Sequence, residues 1–245
     1  MFQEAFMSNK ELREKGRVAF KANYWACVIA ALLLAIVLGA TTTARTAGAN
    51  SAANSAVPEE DISLTEIMDG LTEEEQRTVI TAVVTILVIV TVIGILVRIF
   101  LYNPLQVGCY RFFRKNTENY PVRLGVIKQG FGNYGHTTWT LLLRDIFLFL
   151  WTLLFIVPGL IKAYSYRLVP YLIKDNPELS AKEAIKLSDT MMKGKKGQAF
   201  LLDLSFIGWF FLSVLTLGLV GIFWTNPYYE SSAAAFYIDV KSNQQ

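Results

Sequence analysis

Five charged side chains interrupt long apolar stretches of this sequence, and they are the residues best placed to do chemistry: Arg144, Asp145, Lys162, Arg167 and Asp203. In lipid, a charge at the centre of a bilayer costs about 2.5–3.5 kcal/mol even on the mildest scale, so such residues pair with one another or line a polar path. The sequence therefore predicts an intramembrane polar cluster of Arg144, Asp145, Arg167 and Asp203. Its role is either to fix the helices in place or to form a pathway or binding pocket. Lys162 is predicted to extend its ammonium group to the outer interface.

Other chemical signatures are missing from the sequence. It contains no glycine-rich phosphate loop, no His-Glu-x-x-His and no Gly-x-Ser-x-Gly. The single histidine, His136, is far from the two cysteines, Cys27 and Cys109, and no histidine lies near Ser165 or Ser205. We therefore expect no catalytic residue, no metal and no cofactor, and the interpretation is that the protein is not an enzyme.

The elements that carry these charges are predicted to be membrane helices. Of the 245 residues, 53% are hydrophobic, and the mean hydropathy is +0.37. Roughly 20 apolar residues cross a hydrocarbon core, and in lipid only a helix or a closed barrel satisfies its own backbone. The fold class is therefore predicted to be all-α, a polytopic helical membrane protein with one integral membrane domain over residues 1–245.

Two basic amphipathic helices are predicted at the membrane surface, over residues 8–21 and 180–194. Each begins with a capping box, Ser8 to Glu11 and Ser180 to Glu183, in which the serine hydroxyl and the glutamate satisfy free amide groups. Helices of this kind suit the anionic inner leaflet of a bilayer. The connection 44–77 is instead acidic and is predicted to be an external, partly disordered loop.

The positions of lysine and arginine decide the predicted topology. Connections on the cytoplasmic side are rich in these residues, and here the basic segments are the N-terminal one, 103–138 and 174–198. All three lie on one side if six spans form three hairpins with the N-terminus in the cytoplasm; four spans are the alternative. The predicted spans are 24–43, 78–102, 139–157, 160–174 (a span or a re-entrant arm), 199–215 and 218–238.

Prolines and one glycine are predicted to mark helix turns or kinks, because proline lacks a backbone N–H and clashes with the preceding turn. The positions are Pro104, Pro158, Gly159, Pro170 and Pro227. The Pro158-Gly159 pair is expected to be the outer turn of the middle hairpin. The arm that follows it would bring Arg167 back towards Arg144 and Asp203.

A set of motifs resembles a known family. They are Asn103-Pro-Leu-x-x-Gly108, Ile156-Val-Pro-Gly-Leu-Ile-Lys162, Asp175-Asn-Pro-Glu-Leu-Ser180, Met191-Met-Lys-Gly194 and Asp203-Leu-Ser-Phe-Ile-Gly-Trp209. Their order and spacing are similar to those of the bacterial integral membrane family called domain of unknown function 975. The resemblance implies a multi-pass protein of the bacterial cytoplasmic membrane and carries over no catalytic residue.

The leading hypothesis for function is a non-enzymatic scaffold, an accessory to a partner protein or a factor in envelope homeostasis. The alternative is a small transporter or channel that uses the arginine and aspartate cluster. The expected partner is the lipid bilayer, contacted at its anionic inner leaflet by the basic helices. Nucleic acid is not expected to bind, because next to membrane spans the lipid surface is the nearer anionic partner.

Overall fold

The computed structural model of the protein describes residues 6–39 and 72–243, and every regular element in those residues is helical. The predicted all-α fold class is confirmed for this part of the chain. Most of the predicted 44–77 loop, and the end of the first predicted span, lie outside the described residues. The chain divides into two compact units, residues 1–38 with 102–245, and residues 39–101.

The helices are numbered here in chain order. They are α1 Asn9–Ala22, α2 Tyr24–Gly39, α3 Glu73–Val97, α4 Asn103–Glu118, α5 Tyr134–Leu154, α6 Ile156–Ser165, α7 Val169–Asp175, α8 Ala181–Met191, α9 Lys196–Leu204, α10 Ile207–Leu215 and α11 Asn226–Ser242. Short π-helical turns, Arg98–Tyr102 and Gly221–Thr225, precede α4 and α11, and a 3-10 helix, Leu124–Phe131, follows α4.

The unit of residues 39–101 consists, in its described part, mainly of α3. Thr72 caps its first turn, and Glu75 accepts a hydrogen bond from the Thr72 backbone N–H at 2.9 Å. No side chain of α3 is buried, although the helix is rich in valine, isoleucine and leucine. The hydroxyls of Thr78, Thr85 and Thr91 each donate to the carbonyl four residues earlier. An apolar helix that satisfies its own polar groups is what a hydrocarbon environment requires.

In the other unit, a sharp bend separates α1 from α2. The two helices meet at 108°, and Asn23 at the bend donates from its amide to Asn116 Oδ1 at 2.7 Å and to the Val122 carbonyl at 2.8 Å. The fully buried amide of Asn116 in turn donates to the Ala19 carbonyl at 3.0 Å. The bend is therefore held by hydrogen bonds to α4 and to the segment after it.

Replacing Asn116 by leucine is expected to loosen this bend. The change keeps the branched shape of the side chain but removes the partner of the Ala19 carbonyl and of the Val122 N–H, and one of the two acceptors of the Asn23 amide. An unpaired buried polar group costs about 1–3 kcal/mol. A fall of that size in the free energy of unfolding, measured by denaturant titration in detergent micelles, is the expected result. Asn119→Leu, at the exposed end of α4, serves as the control, and an equal loss there would contradict the prediction.

Helix α11 is the centre of this unit. Its small residues Ser231, Ser232 and Ala233–Ala235 are buried together with Phe236 and Tyr237. Helix α1 packs against α11 through Gly16, where an added Cβ would lie 2.6 Å from the Ser232 backbone nitrogen. The close approach of the two backbones requires glycine at this position.

The caps predicted for the two basic helices are confirmed. The capping boxes at Ser8 and Ser180 both form, and hydrogen bonds from the backbone N–H and the hydroxyl of Ser8 lower the pKa of Glu11. One face of each helix is buried in the protein: Leu12, Gly16, Ala19 and Phe20 in α1, and Ala181, Ala184, Ile185, Ser188 and Met191 in α8. The contact of these helices with the anionic leaflet stays a prediction. The lysines Lys10, Lys182 and Lys186 remain exposed.

The predicted turns need correction in position. The chain reverses at Phe155, whose extended backbone (φ −157°, ψ 145°) ends α5, and Pro158 lies in the first turn of α6. Proline fits there because the first amides of a helix have no partner within it. Pro170 begins α7 for the same reason. Pro104 and Pro227 each follow a π-helical turn, within helical backbone that continues into α4 and α11. Gly159 is close-packed, since a Cβ there would lie 2.7 Å from Thr152 Cα of α5.

Among residues 6–39 and 72–243, three helical stretches are long and apolar enough to cross a membrane: Glu73–Glu118, Tyr134–Leu154 and Lys196–Leu215. The bent pair α1 and α2 is a possible fourth. The predicted arm 160–174 is divided between α6 and α7, with a break around Arg167. These features suit a membrane protein, and the count of six spans stays a prediction.

Candidate functional site

Arg167 and Asp203 form the centre of the polar cluster. Arg167 Nη1 lies 2.9 Å from Asp203 Oδ1 and 3.0 Å from Oδ2. Tyr229 connects the two charges, since its hydroxyl accepts from Arg167 Nη2 at 2.9 Å and donates to Asp203 Oδ1 at 2.9 Å. The hydroxyl of Tyr164 donates to Asp203 Oδ2 at 3.0 Å. Each oxygen of the carboxylate therefore accepts from the arginine and from one tyrosine.

The chain positions this cluster by bringing four elements together. Arg167 lies in the three-residue break between α6 and α7, Tyr164 is in the last turn of α6, Asp203 is near the end of α9, and Tyr229 is in the first turn of α11. The arginine side chain is 18% exposed and the aspartate 28%. A cluster of this kind fixes the relative position of α6, α9 and α11.

The other two predicted members of the cluster pair separately. Arg144 donates from Nε at 2.9 Å and from Nη2 at 2.7 Å to Oδ1 of its neighbour Asp145. Both residues belong to α5, so this ion pair joins adjacent positions of one helix. The structure thus brings Arg167 and Asp203 together, whereas Arg144 and Asp145 form a pair of their own.

The buried carboxylate of Asp175 has no counterpart among the sequence predictions. Its side chain is 3% exposed, and its oxygens lie 3.2 Å from Arg114 Nη2 and 2.6 Å from Lys241 Nζ. The hydroxyl of Tyr237 donates to it at 2.7 Å. Asp175 ends α7 and thereby connects that helix to α4 and α11.

Lys162 has protein partners. Its ammonium group pairs with Asp189 of α8 at 3.1 Å and lies over the ring of Trp151 at 5.4 Å. Lys196 approaches the same aspartate at 3.6 Å. The predicted position of Lys162 at the outer interface stays a prediction.

The partners that the sequence did not reveal are Tyr164, Tyr229, Asp175 and Asp189. Tyrosines at helix ends are read as interfacial anchors when no partner is known, and Asp175 precedes Asn-Pro, which suggests only a turn. The sequence did carry one signal for these partners: each cation in an apolar stretch requires a nearby anion or phenol to compensate its charge.

No group of three or more histidine, cysteine, aspartate or glutamate side chains suited to a metal occurs among residues 6–39 and 72–243. The cysteines of this part, Cys27 and Cys109, are free and buried. The contacts of the Arg167–Asp203 cluster are thus made by protein groups, with no metal-binding set beside it in the described residues.

Comparison with protein families gives a match to the C-terminal part of the chain. Residues 140–244 match the family described as Protein of unknown function (DUF975). The resemblance to DUF975 is thereby confirmed for the segment that carries Arg144, Arg167, Asp203 and Tyr229. Residues before 140, including the Asn103-Pro-Leu motif, lie outside the matched range, and there the resemblance stays a prediction.

Comparisons with curated proteins and with solved structures give no match.

Proposed function

We propose that the protein is a multi-pass component of the bacterial cytoplasmic membrane that acts without catalysis, as a scaffold or accessory to other envelope components. The observation that carries this proposal is the hydrogen bonding of the Asp203 carboxylate, both of whose oxygens have protein donors. Its two oxygens accept four hydrogen bonds from protein groups, Arg167 Nη1 and the hydroxyls of Tyr164 and Tyr229. A carboxylate that is already fully hydrogen-bonded serves to hold helices in place.

The membrane location in this proposal is supported by exposed apolar surface. Around the reversal at Phe155, the side chains of Leu153, Phe155, Ile156 and Val157 are between 67% and 80% exposed, and Leu217 at the α10 turn is 95% exposed. A contiguous apolar surface of this kind marks contact with a membrane or with another protein. The DUF975 match and the three apolar stretches favour the membrane.

Asp203→Asn tests the structural role of the cluster. The amide keeps the shape of the side chain but loses the negative charge opposite Arg167, and for a partly exposed pair we expect a loss of about 1–3 kcal/mol in the free energy of unfolding. The matched control is Asp145→Asn, whose side chain is 29% exposed but which pairs within one helix, so we expect a smaller loss there. The measurement is unfolding in mixed detergent micelles.

A small transporter or channel is the second candidate function. It is supported by the partial exposure of Asp203, 28%, which leaves the carboxylate reachable from the surface. In liposomes loaded with a pH-sensitive dye, a pathway would give proton or potassium flux that Asp203→Asn changes while stability is kept. Unchanged stability together with altered flux would overturn the scaffold proposal in favour of this one.

A further inference from the structure

The N-terminal residues Phe6 and Met7 contact the lysine-rich segment 193–196 and the first turn of α9. The Gln198 amide donates to the Met7 carbonyl at 2.7 Å, and the Met7 N–H donates to Asp239 Oδ1 at 3.1 Å. The Lys195 ammonium lies over the ring of Phe6. The hydrogen bond between Gln198 and Met7 joins residues 191 positions apart. The Phe6–Met7 segment therefore packs beside the lysine-rich segment 193–196.

Cations predominate at this place. Lys193, Lys195 and Lys196 follow one another around Gly194, whose positive φ of 74° turns the backbone sharply. Lys10 is exposed in the first turn of α1, shortly after the Phe6–Met7 segment. Asp189 pairs with Lys162 and Lys196. Asp239 accepts from the Met7 N–H, and its negative charge acts on Lys195. Lys193 is exposed.

Exposed apolar side chains begin immediately beyond these lysines. Phe200, Leu201 and Leu204 of α9 are 46–53% exposed, and Phe6 is 42% exposed. The lysines thus stand at the start of the apolar stretch Lys196–Leu215. In a bilayer, cations at the start of an apolar helix lie at the level of the lipid headgroups.

We propose that the exposed Lys193, together with Lys195, whose ammonium group lies over the Phe6 ring, forms a binding site for the phosphate groups of anionic phospholipids at the membrane surface. This inference rests on the proposed membrane location. Because the apolar face of α1 is buried against α11, the contact is electrostatic and superficial, without insertion of α1 into the lipid. Binding should therefore weaken as salt concentration rises.

The test uses the full chain reconstituted in nanodiscs of phosphatidylcholine alone or mixed with phosphatidylglycerol. Native mass spectrometry counts retained lipid, and thermal unfolding reports its effect on stability. The variant Lys193→Gln/Lys195→Gln should bind phosphatidylglycerol less tightly by roughly fivefold for each lysine removed. Phosphatidylcholine retention should not change.

The matched control is Lys182→Gln/Lys186→Gln, which removes the same charge from the exposed face of α8. Equal losses from both pairs would mean diffuse attraction and would overturn the site, as would equal retention of the two lipids. Stabilisation of the detergent-purified protein by inorganic phosphate to the same extent as by phosphatidylglycerol would also overturn the assignment to lipid.

Cell fractionation separates this inference from the proposed function. If the wild-type protein is not in the membrane fraction, the proposed function fails. If it is there but shows no preference for phosphatidylglycerol, only the headgroup site fails.

Discussion

Asp175→Ala is expected to destabilise the protein by about 3–5 kcal/mol, the cost of removing one partner from a buried ion pair. The carboxylate is 3% exposed and faces Arg114, Lys241 and Tyr237. Alanine would leave the arginine, itself 14% exposed, without this anion. The free energy of unfolding in detergent is the quantity to measure.

Glu118→Ala provides the control for this prediction. Glu118 contacts the same arginine at 3.0 Å, but its side chain is 30% exposed and lies one turn away on the same helix. Ion pairs of that type contribute about 0–1 kcal/mol. If the two variants lose similar stability, Asp175 does not hold α4, α7 and α11 together.

Gly130→Ala is expected to cost about 3 kcal/mol, at the upper end of overpacking effects. A Cβ at this position would meet the Pro104 carbonyl oxygen and would lie 2.6 Å from Gly108 N and 2.8 Å from Gly108 Cα. These are backbone atoms of α4, so no side chain can rotate away and the 3-10 helix must move as a whole.

Gly125→Ala in the same 3-10 helix is the control, because nothing lies within 4 Å of its added Cβ. We expect that change to be close to neutral or slightly stabilising, since alanine restricts the unfolded chain. Thermal unfolding of both variants in one detergent measures the difference. A neutral Gly130→Ala would mean that α4 and the 3-10 helix do not approach each other this closely.

The sequence predicts the helices of this protein much better than it predicts their partners. The capping boxes locate the start of α1 and α8 to the residue, because a cap is made by residues three positions apart. The predicted 139–157 and 199–215 segments likewise fall on α5 and on α9 with α10. These features depend on local periodicity and local hydrogen bonds.

What the sequence could not predict depends on contacts between distant residues. Hydrophobic periodicity identified the apolar face of α1, but lipid and α11 are equally acceptable partners for such a face. The four-residue polar cluster was inferred from charge alone, and charge does not specify the pairing: Arg144 donates to Asp145, whereas Arg167 donates to Asp203. Proline is also compatible with two local structures, a helix kink and the first turn of a helix, and only the surrounding packing distinguishes them.

The packing of α1 on α11 has a consequence for biosynthesis. Gly16 and Ser232 are separated by 216 residues of sequence (232 − 16), which a ribosome needs about 10–40 s to add. During that interval Leu12, Ala19 and Phe20 have no α11 to cover them. The nascent α1, basic on one side and apolar on the other, is suited to rest on the anionic bilayer until its permanent partner emerges. The apolar face of this helix would then pass from lipid to protein during assembly, whereas the predicted contact of its basic side with the anionic leaflet does not depend on that exchange.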